Sequence, residues 1–302
     1  MLVDPKRVAK GMYWDRALSL VMGCSPMSEA CANCWAARES AMRAKHPNIK
    51  IRMRHAGLTT DGHFNGAVRY NYDPLEAFMR ARKPLVWAVW NDLFHVKVEP
   101  EVINHCLDIF ATCRSHTVII LTKRIKRAYK LIHSHKVRPF PDNVVLGTTV
   151  ELPEYSDRIE ALLGIPAKCR MVSLEPILEA VDLSRYFDPY RDCDSHTKNA
   201  ILHGLLNENQ AASLRRPVLD WVIIGGENAP LSKARPTGFA VLTGQAVLYD
   251  IVKQCAEARV PCFVKQTGTV VAHNRGYRDR AGRDMSEWPE RIRVRQFPER
   301  RL

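Results

Sequence analysis

Short apolar runs alternate with segments of helical periodicity along most of this chain. Seven runs are bounded by turn or polar residues and predict β-strands, at 17–23, 84–90, 117–122, 144–150, 169–174, 221–226 and 261–266. Because they lack in-and-out alternation, we expect strands covered on both faces, and intervening helices predict parallel pairing. The predicted fold class is α/β, a partial TIM-like (β/α)6–7 barrel of parallel strands. A doubly wound open sheet has the same pattern and stays open as an alternative.

Five segments have apolar residues at helical spacing and predict helices, at 35–45, 100–113, 125–133, 155–163 and 243–258. Two segments interrupt the alternation. Residues 49–73, with three glycines, predict a loop or short hairpin, and residues 186–217 predict a polar insertion. We therefore divide the chain into a barrel at 1–268, which contains the insertion, and a basic C-terminal extension at 269–302 that wraps the barrel or contacts a partner.

Positive charge distinguishes the composition of this chain. Its 302 residues include 45 Lys and Arg against 32 Asp and Glu, a formal charge of +13, and the excess gathers at 38–54 and 275–301. Such an excess favours nucleic acid as a partner, although a solvated basic surface explains it as well. Because no apolar run approaches the roughly 18 residues of a membrane helix, and charged residues interrupt the N-terminal segment, we expect no membrane association and a cytoplasmic location.

Three of the nine cysteines form a cluster in the sequence. Cys24, Cys31 and Cys34 are spaced C-x6-C-x2-C in a loop directly after the first predicted strand. Three neighbouring thiolates are costly unless a metal neutralises them, so we consider an iron–sulfur cluster, zinc, or plain buried cysteines. A closed zinc site needs a fourth ligand, which His46 or His95 would have to supply. A [4Fe-4S] cluster held by three cysteines leaves one iron open.

Ionisable side chains stand at or just past the ends of strands two to seven. They are Asp92, Lys123, Glu151, Glu175, Glu227 and Lys265. In a parallel barrel these strand ends converge on one mouth, and the cysteine loop opens from the same mouth. The sequence therefore predicts a polar site there, although any single one of these residues could instead face solvent or cap a helix.

The motifs occur in an order that resembles a known family. They lie at 23–24, 30–36, 92–95, 121–124, 147–151, 173–176, 221–227, 234–236 and 265–268. Together they resemble the phage-associated radical-SAM-like family, which has no assigned function, over about residues 12–290. The Gly23-Cys24 loop is also similar to that of the spore photoproduct lyase group of radical SAM enzymes.

This resemblance implies a set of cofactors. Cys24, Cys31 and Cys34 would hold a [4Fe-4S] cluster whose open iron binds S-adenosyl-L-methionine. An electron from a carrier such as flavodoxin or ferredoxin would then cleave S-adenosylmethionine to a 5′-deoxyadenosyl radical.

The resemblance also implies roles for residues around the mouth. Lys123 is the candidate for the methionine carboxylate and Asp92 for the methionine amino group, while Glu227 and Lys265 are the candidate catalytic residues. Cofactor binding is assigned to nine residues in all: Trp35, Asp92, Lys123, Thr148, Glu151, Ser173, Glu175, Gly225 and Gly226.

Basic charge and the phage association favour DNA or a modified nucleobase as the substrate. Some phages decorate thymine with amino acids and rearrange the adduct with a radical SAM isomerase, so an isomerase of amino-acid-decorated, hypermodified thymidine is the sharpest hypothesis. It would act in the host-cell cytoplasm if a phage encodes it. A radical SAM DNA lesion lyase or repair enzyme is one alternative, and a zinc-stabilised nucleic-acid-binding protein without catalysis is another.

Three features depart from the pattern of radical SAM enzymes. The first cysteine gap is six residues where most members have three, and Trp35 follows the last cysteine instead of preceding it. Gly-Gly-Glu at 225–227 follows the sixth predicted strand, not the second. Asp15-Arg16 and Thr267 replace the Asn-Pro and Trp of two motifs that family members usually carry, which indicates a changed substrate pocket.

Overall fold

The protein is built around a parallel β-sheet, seen in a computed structural model that describes residues 3–233 and 244–299. Its strands are β1 (Arg16–Leu18), β2 (Val21–Met22), β3 (Thr59–Thr60), β4 (His63–Phe64), β5 (Arg69–Tyr70), β6 (Val86–Val89), β7 (Thr117–Thr122), β8 (Val144–Thr149), β9 (Cys169–Leu174), β10 (Trp221–Gly225) and β11 (Cys262–Gln266). Seven of them form one parallel sheet in the order β1-β6-β7-β8-β9-β10-β11. The pairs β2–β5 and β3–β4 are separate and antiparallel.

Helices connect most of the parallel strands. They are α1 (Pro5–Ala9), α2 (Trp35–Arg43), α3 (Ile49–His55), α4 (Asp73–Arg80), α5 (Pro100–Thr112), α6 (Ile125–His133), α7 (Asp157–Leu163), α8 (Ser184–Phe187), α9 (Ser195–Leu202), α10 (Glu208–Leu214), α11 (Gly244–Glu257) and α12 (Thr269–Arg275). α5 shows why these segments are helical. Pro100 starts its first turn, and Ile103, Leu107 and Phe110 bury one apolar face. Within the described ranges, no helix has both the length and the apolar character needed to cross a bilayer.

The order of the parallel strands identifies the architecture. Each strand pairs with the next parallel strand along the chain, as Val118 of β7 does with Val144 of β8. A doubly wound sheet would reverse this order at a switch point, so that alternative was wrong. In the described residues the edge strands β1 and β11 do not pair with each other. The predicted α/β class is confirmed, and the seven-stranded half-barrel is compatible with a partial TIM-like barrel.

Two hydrophobic cores cover the two faces of the sheet. Along β7, Val118 and Ile120 belong to the core beneath the helices, while Ile119 belongs to the core inside the half-barrel. The N-terminal segment closes the lower end of this interior. There the Tyr13 ring packs edge-to-face on Trp221, with the ring centroids 5.6 Å apart.

The first predicted strand, 17–23, was wrong as a single element. β1 ends at Leu18, and β2 leaves the half-barrel to pair with β5. Residues 49–73 contain the predicted hairpin, β3–β4, whose turn residues Asp61 and Gly62 both have positive φ. The same segment also contains a helix that was not predicted, α3. The sequence does contain a favourable N-cap residue for this helix, Asn48. Its side chain accepts hydrogen bonds from the Lys50 and Ile51 backbone amides.

The predicted polar insertion at 186–217 holds the short helices α9 and α10. The C-terminal extension packs on the half-barrel. Trp288 and Ile292 are buried in the core beneath the helices, and the Arg295 guanidinium donates to the Val8 and Val264 carbonyls at 2.6 and 3.1 Å. The sequence motif at 234–236, and Thr243 of the fifth predicted helix, lie outside the described residues.

Candidate functional site

A cavity of about 270 Å³ opens at the carboxyl ends of the parallel strands. Side chains alternate between the two faces of a strand, so the buried Met171 of the interior core is followed on the same face by the smaller Ser173. A Cβ at Gly147 would lie 2.7 Å from the Met171 Cε, so the absence of a side chain at Gly147 leaves room for Met171. Ser173 and Ala88 line the cavity above it. The interior of the half-barrel is therefore filled by side chains at the level of Met171 and hollow at the carboxyl ends of the strands.

The three clustered cysteines line this cavity together. Cys24 follows β2, Cys31 lies in a 3-10 helix at Glu29–Asn33, and Cys34 directly precedes α2. A hydrogen bond from the Cys34 amide to the Cys31 carbonyl, at 3.2 Å, fixes the turn between them. All three side chains are half-buried. The loop therefore brings the thiols to one wall of one cavity, as the sequence predicted.

Two of the three sulfur atoms lie beside a different cation, and the third directly precedes a helix. Arg124 donates to the Cys24 Sγ at 3.6 Å, and the Lys123 Nζ lies 3.7 Å from the Cys31 Sγ. For Cys34, the backbone amides of Ala37 and Ala36 in the first turn of α2 favour the thiolate, although they carry no net charge. Such donors stabilise the thiolate form, which is the form that binds metals.

Burial and charge act differently on the three thiols. For Cys24, burial and the nearby Asp92 carboxylate outweigh the Arg124 guanidinium and raise the pKa to about 11. Burial also raises the pKa of Cys34. For Cys31 burial opposes ionisation, but the Lys123 ammonium and the Met27 and Ser28 donors outweigh it and lower the pKa.

Asp92 and Arg124 form a buried ion pair beside Cys24. The Asp92 Oδ2 accepts from Arg124 at 2.7 Å, and its Oδ1 accepts from the Thr122 hydroxyl at 2.6 Å. Arg124 also donates to the Ser25 carbonyl and hydroxyl oxygens at 2.9 and 2.8 Å. Both carboxylate oxygens of Asp92 are thus bonded within the protein, where the sequence suggested a methionine amino group as the partner.

Glu151 forms the corresponding pair beside Cys31. It is fully buried and accepts from Lys123 at 2.8 Å and from Arg158 at 3.0 Å. Lys123 also donates to the Ser28 hydroxyl at 2.8 Å, and this hydroxyl contacts Glu151. Lys123 therefore links the end of β8 to the cysteine loop.

The opposite wall of the cavity carries a second group of polar residues. Lys265 and Glu175 form an ion pair at 2.6 Å, and the Lys265 ammonium lies 5.4 Å from the centre of the Trp14 ring. Glu227 accepts a hydrogen bond from the side-chain amide of Asn33 at 3.1 Å, which connects this wall to the cysteine loop. The Ser173 hydroxyl is buried and has no hydrogen-bond partner among the described residues.

A family match covers almost the whole chain. The model of DUF5131, described as a protein of unknown function, matches residues 10–291. This chain belongs to the DUF5131 family. No curated protein and no solved structure matches it. The function of this DUF5131 protein therefore has to be inferred from its site.

Most of the residues that the sequence predicted for the site of the DUF5131 protein share this cavity. Those that line it are Cys24, Cys31, Cys34, Trp35, Asp92, Lys123, Ser173, Glu175, Gly226, Glu227 and Lys265. Glu151 contacts the cavity residue Lys123. Gly225 lies beneath Glu175, since a Cβ there would be 3.3 Å from the Glu175 Cγ.

Thr148 is the exception. It has the same strand parity as Val144 and Leu146, which pack beneath the helices, and its hydroxyl donates to the Thr122 carbonyl at 2.8 Å. Its neighbour Thr149 lines the cavity instead. The sequence analysis also missed Arg124, Ser28 and Asn33. Arg124 had the same signal as Lys123, a charge just past the end of a strand.

The described residues of the DUF5131 protein do not form a site for a single metal ion. Within residues 3–233 and 244–299, no three His, Cys, Asp or Glu side chains are close enough to share one metal ion. In a cluster each cysteine binds a different iron, so its ligands stand farther apart than those of one zinc. Both candidates for the fourth zinc ligand are engaged elsewhere: His95 is hydrogen-bonded to the Ser25 hydroxyl at 2.9 Å, and the His46 ring accepts from the Asn48 amide at 3.0 Å.

Proposed function

We propose that this DUF5131 protein is a radical SAM enzyme whose substrate is a modified base in DNA. One observation carries the proposal. Cys24, Cys31 and Cys34 line one cavity at the carboxyl ends of a parallel half-barrel, and the sulfur atoms of Cys24 and Cys31 each lie beside a different cation. Three thiols beside a hollow interior, two of them next to a cation, suit an iron–sulfur cluster with an open iron.

The three cysteines would hold a [4Fe-4S] cluster, and the cavity beside them would hold S-adenosylmethionine. When bound, these groups supply an electron and a 5′-deoxyadenosyl radical. The residues of the chain would bind and orient these groups and exclude water from the cavity. Met171 and Phe263 close the interior below, and the Glu175–Lys265 pair offers a carboxylate and an ammonium to polar groups of the ligands.

A basic segment, residues 35–72, supports DNA as the substrate. It contains seven Lys and Arg against two Asp and Glu. Trp35 and Phe64 of this segment line the cavity, and the Gly66 amide donates to the Cys24 carbonyl at 3.0 Å. Lys45 and Lys50 are exposed. A phosphate backbone bound here would lie beside the mouth, and a base would have to be flipped out of the duplex to enter it.

Isomerisation of amino-acid-decorated, hypermodified thymidine is the reaction we propose, with a flavodoxin or ferredoxin as the electron donor. The alternative reaction, that of a radical SAM lesion lyase, would use the same cofactors and the same cavity. The two reactions differ in their products, because an isomerase keeps every atom of the modified nucleoside and a lyase releases a fragment or restores the parent base.

The test is anaerobic reconstitution with iron and sulfide, followed by reduction with dithionite in the presence of S-adenosylmethionine. The wild type should turn brown and form 5′-deoxyadenosine, whereas Cys31→Ala should do neither. Cys113→Ala is the matched control, because Cys113 is also half-buried but lies at the end of α5. A colourless protein with tightly bound zinc would instead support the nucleic-acid-binding alternative. Mass spectrometry of nucleosides from hypermodified DNA identifies the product, and an unchanged nucleoside profile would overturn the substrate proposal.

A further inference from the structure

Two successive residues at the end of β7 contact two different cysteines. The Lys123 ammonium lies 3.7 Å from the Cys31 sulfur, and Arg124 donates to the Cys24 sulfur at 3.6 Å. Adjacent residues of a chain usually point apart, and these two reach the cysteine loop at two separate points. The end of β7 therefore places one positive charge beside each of two of the three sulfur atoms.

Each of these cations is held by a carboxylate from a different neighbouring strand. Asp92, after β6, binds Arg124, and Glu151, after β8, binds Lys123. The Arg124 and Asp92 side chains are only 4% and 8% exposed, so water screens their charges weakly. Arg124 is also fixed by two hydrogen bonds to Ser25, which do not depend on Asp92.

We propose that Arg124 and Lys123 are positioning residues that raise the reduction potential of the cluster, and that Asp92 limits this effect. This inference rests on the proposed function. The step concerned is a one-electron reduction: the oxidised cluster gains one electron from the carrier and one unit of negative charge, without a proton. A cation beside a ligand sulfur stabilises the more negative, reduced state of the cluster, and a carboxylate nearby destabilises it.

The two members of the buried pair therefore have opposite effects. Replacing Arg124 by glutamine removes a positive charge next to the Cys24 sulfur and should make reduction harder. Asp92→Asn leaves the side chain nearly the same size, and Arg124 keeps its hydrogen bonds to Ser25. The positive charge of Arg124 is then less compensated, so reduction of the cluster should become easier. The double variant removes one charge of each sign and should fall between them.

The experiment is a spectroelectrochemical titration of the reconstituted full-length protein, with iron and sulfide measured per chain. At a fixed potential, Arg124→Gln should lower the ratio of reduced to oxidised cluster about tenfold, which is a shift of about 59 mV for one electron. Asp92→Asn should raise the ratio severalfold. Arg127→Gln is the control, because Arg127 follows in α6 and its hydrogen bonds among the described residues go to the carbonyls of Phe94 and Val98, not to a cysteine. Because Arg127 contacts no cysteine but lies near Asp92 and Arg124, its loss should shift the potential much less than Arg124→Gln does.

A second pair of variants covers the case in which Arg124→Gln fails to assemble a cluster. Lys123→Gln, at the less buried of the two cations, should also lower the ratio, and Lys126→Gln, whose lysine pairs with the exposed Asp157, should not. A role that is only structural would lower the cluster content without opposite shifts in potential. Shifts of the same sign in Arg124→Gln and Asp92→Asn, or none in any variant, would overturn the inference. A wild type that binds no iron would instead overturn the proposed function.

Discussion

Two glycines from different motifs lie against each other at the edge of the cavity. A Cβ at Gly226 would be 2.1 Å from the Thr267 carbonyl oxygen and 2.8 Å from the Gly268 Cα. Gly268 has a φ of +94°, and a Cβ there would be 2.9 Å from the Gly226 Cα. The motifs at 225–227 and 265–268 therefore meet through their backbones, which explains both glycines without a ligand.

The substitution Gly226→Ala tests this contact. Cβ atoms essentially never approach closer than 3.0 Å, so the 2.1 Å contact requires the two backbones to separate by 0.9 Å. Forcing such a shift in a packed region costs about 3 kcal/mol, at the upper end of the usual overpacking penalty. For a chain of this length, that lowers the Tm by about 6 °C.

Thermal unfolding of the metal-free protein, followed by circular dichroism, measures the loss. Gly57→Ala is the matched control, because Gly57 also has a positive φ, of +72°, but no atom lies within 4 Å of its added Cβ. It should cost about 1 kcal/mol, from backbone strain alone, and lower the Tm by about 2 °C. Equal losses in the two variants would refute the close contact between the glycine motifs.

Three further predictions concern charge and packing. Lys45→Glu combined with Lys50→Glu should weaken DNA binding and reduce its salt dependence by about two units of slope, and an unchanged slope would count against the basic segment as the DNA contact. Glu151→Gln should lower the free energy of unfolding by about 3 kcal/mol in urea titrations, because two cations lose their buried partner, and a loss below about 1 kcal/mol would contradict that pairing. Trp221→Ala should cost about 4 kcal/mol in the same assay, since the ring is fully buried inside the half-barrel, and a near-neutral effect would contradict its core position.

The strands and the mouth of the half-barrel could be predicted because their signals are local. The run at 117–122 is bounded by polar residues and matches β7 at both ends. Lys123 follows immediately, and in parallel strands every such position lies at one edge of the sheet. The cysteine loop could be placed at the same edge because it comes after β1 along the chain, although the short strand β2 lies between them.

The sidedness of each strand could not be predicted in the same way. Residues 144–150 are apolar with no alternation, so nothing in the run indicates that Thr149 faces the cavity and Thr148 faces the helices. Only the packing of helices on one face of the sheet decides this. A prediction based on the run alone therefore selected Thr148, which does not line the cavity, and not its neighbour Thr149.

Contacts between distant residues were also beyond the sequence. Asp92 and Arg124 are 32 positions apart, and their ion pair depends on β6 and β7 being neighbours in the sheet. Before that pairing is known, a charged residue at a strand end looks available for a ligand. The pairing changes the chemistry expected of Asp92 from cofactor binding to compensation of the Arg124 charge.

Electron paramagnetic resonance of the anaerobically reconstituted, dithionite-reduced protein tests the central claim most directly. We expect the signal of a reduced [4Fe-4S] cluster in the wild type, and a change in that signal when S-adenosylmethionine is added, because the open iron gains ligands. Cys24→Ala should lose the cluster signal. A protein that shows no cluster signal after reconstitution, or one whose signal is indifferent to S-adenosylmethionine, would contradict the account.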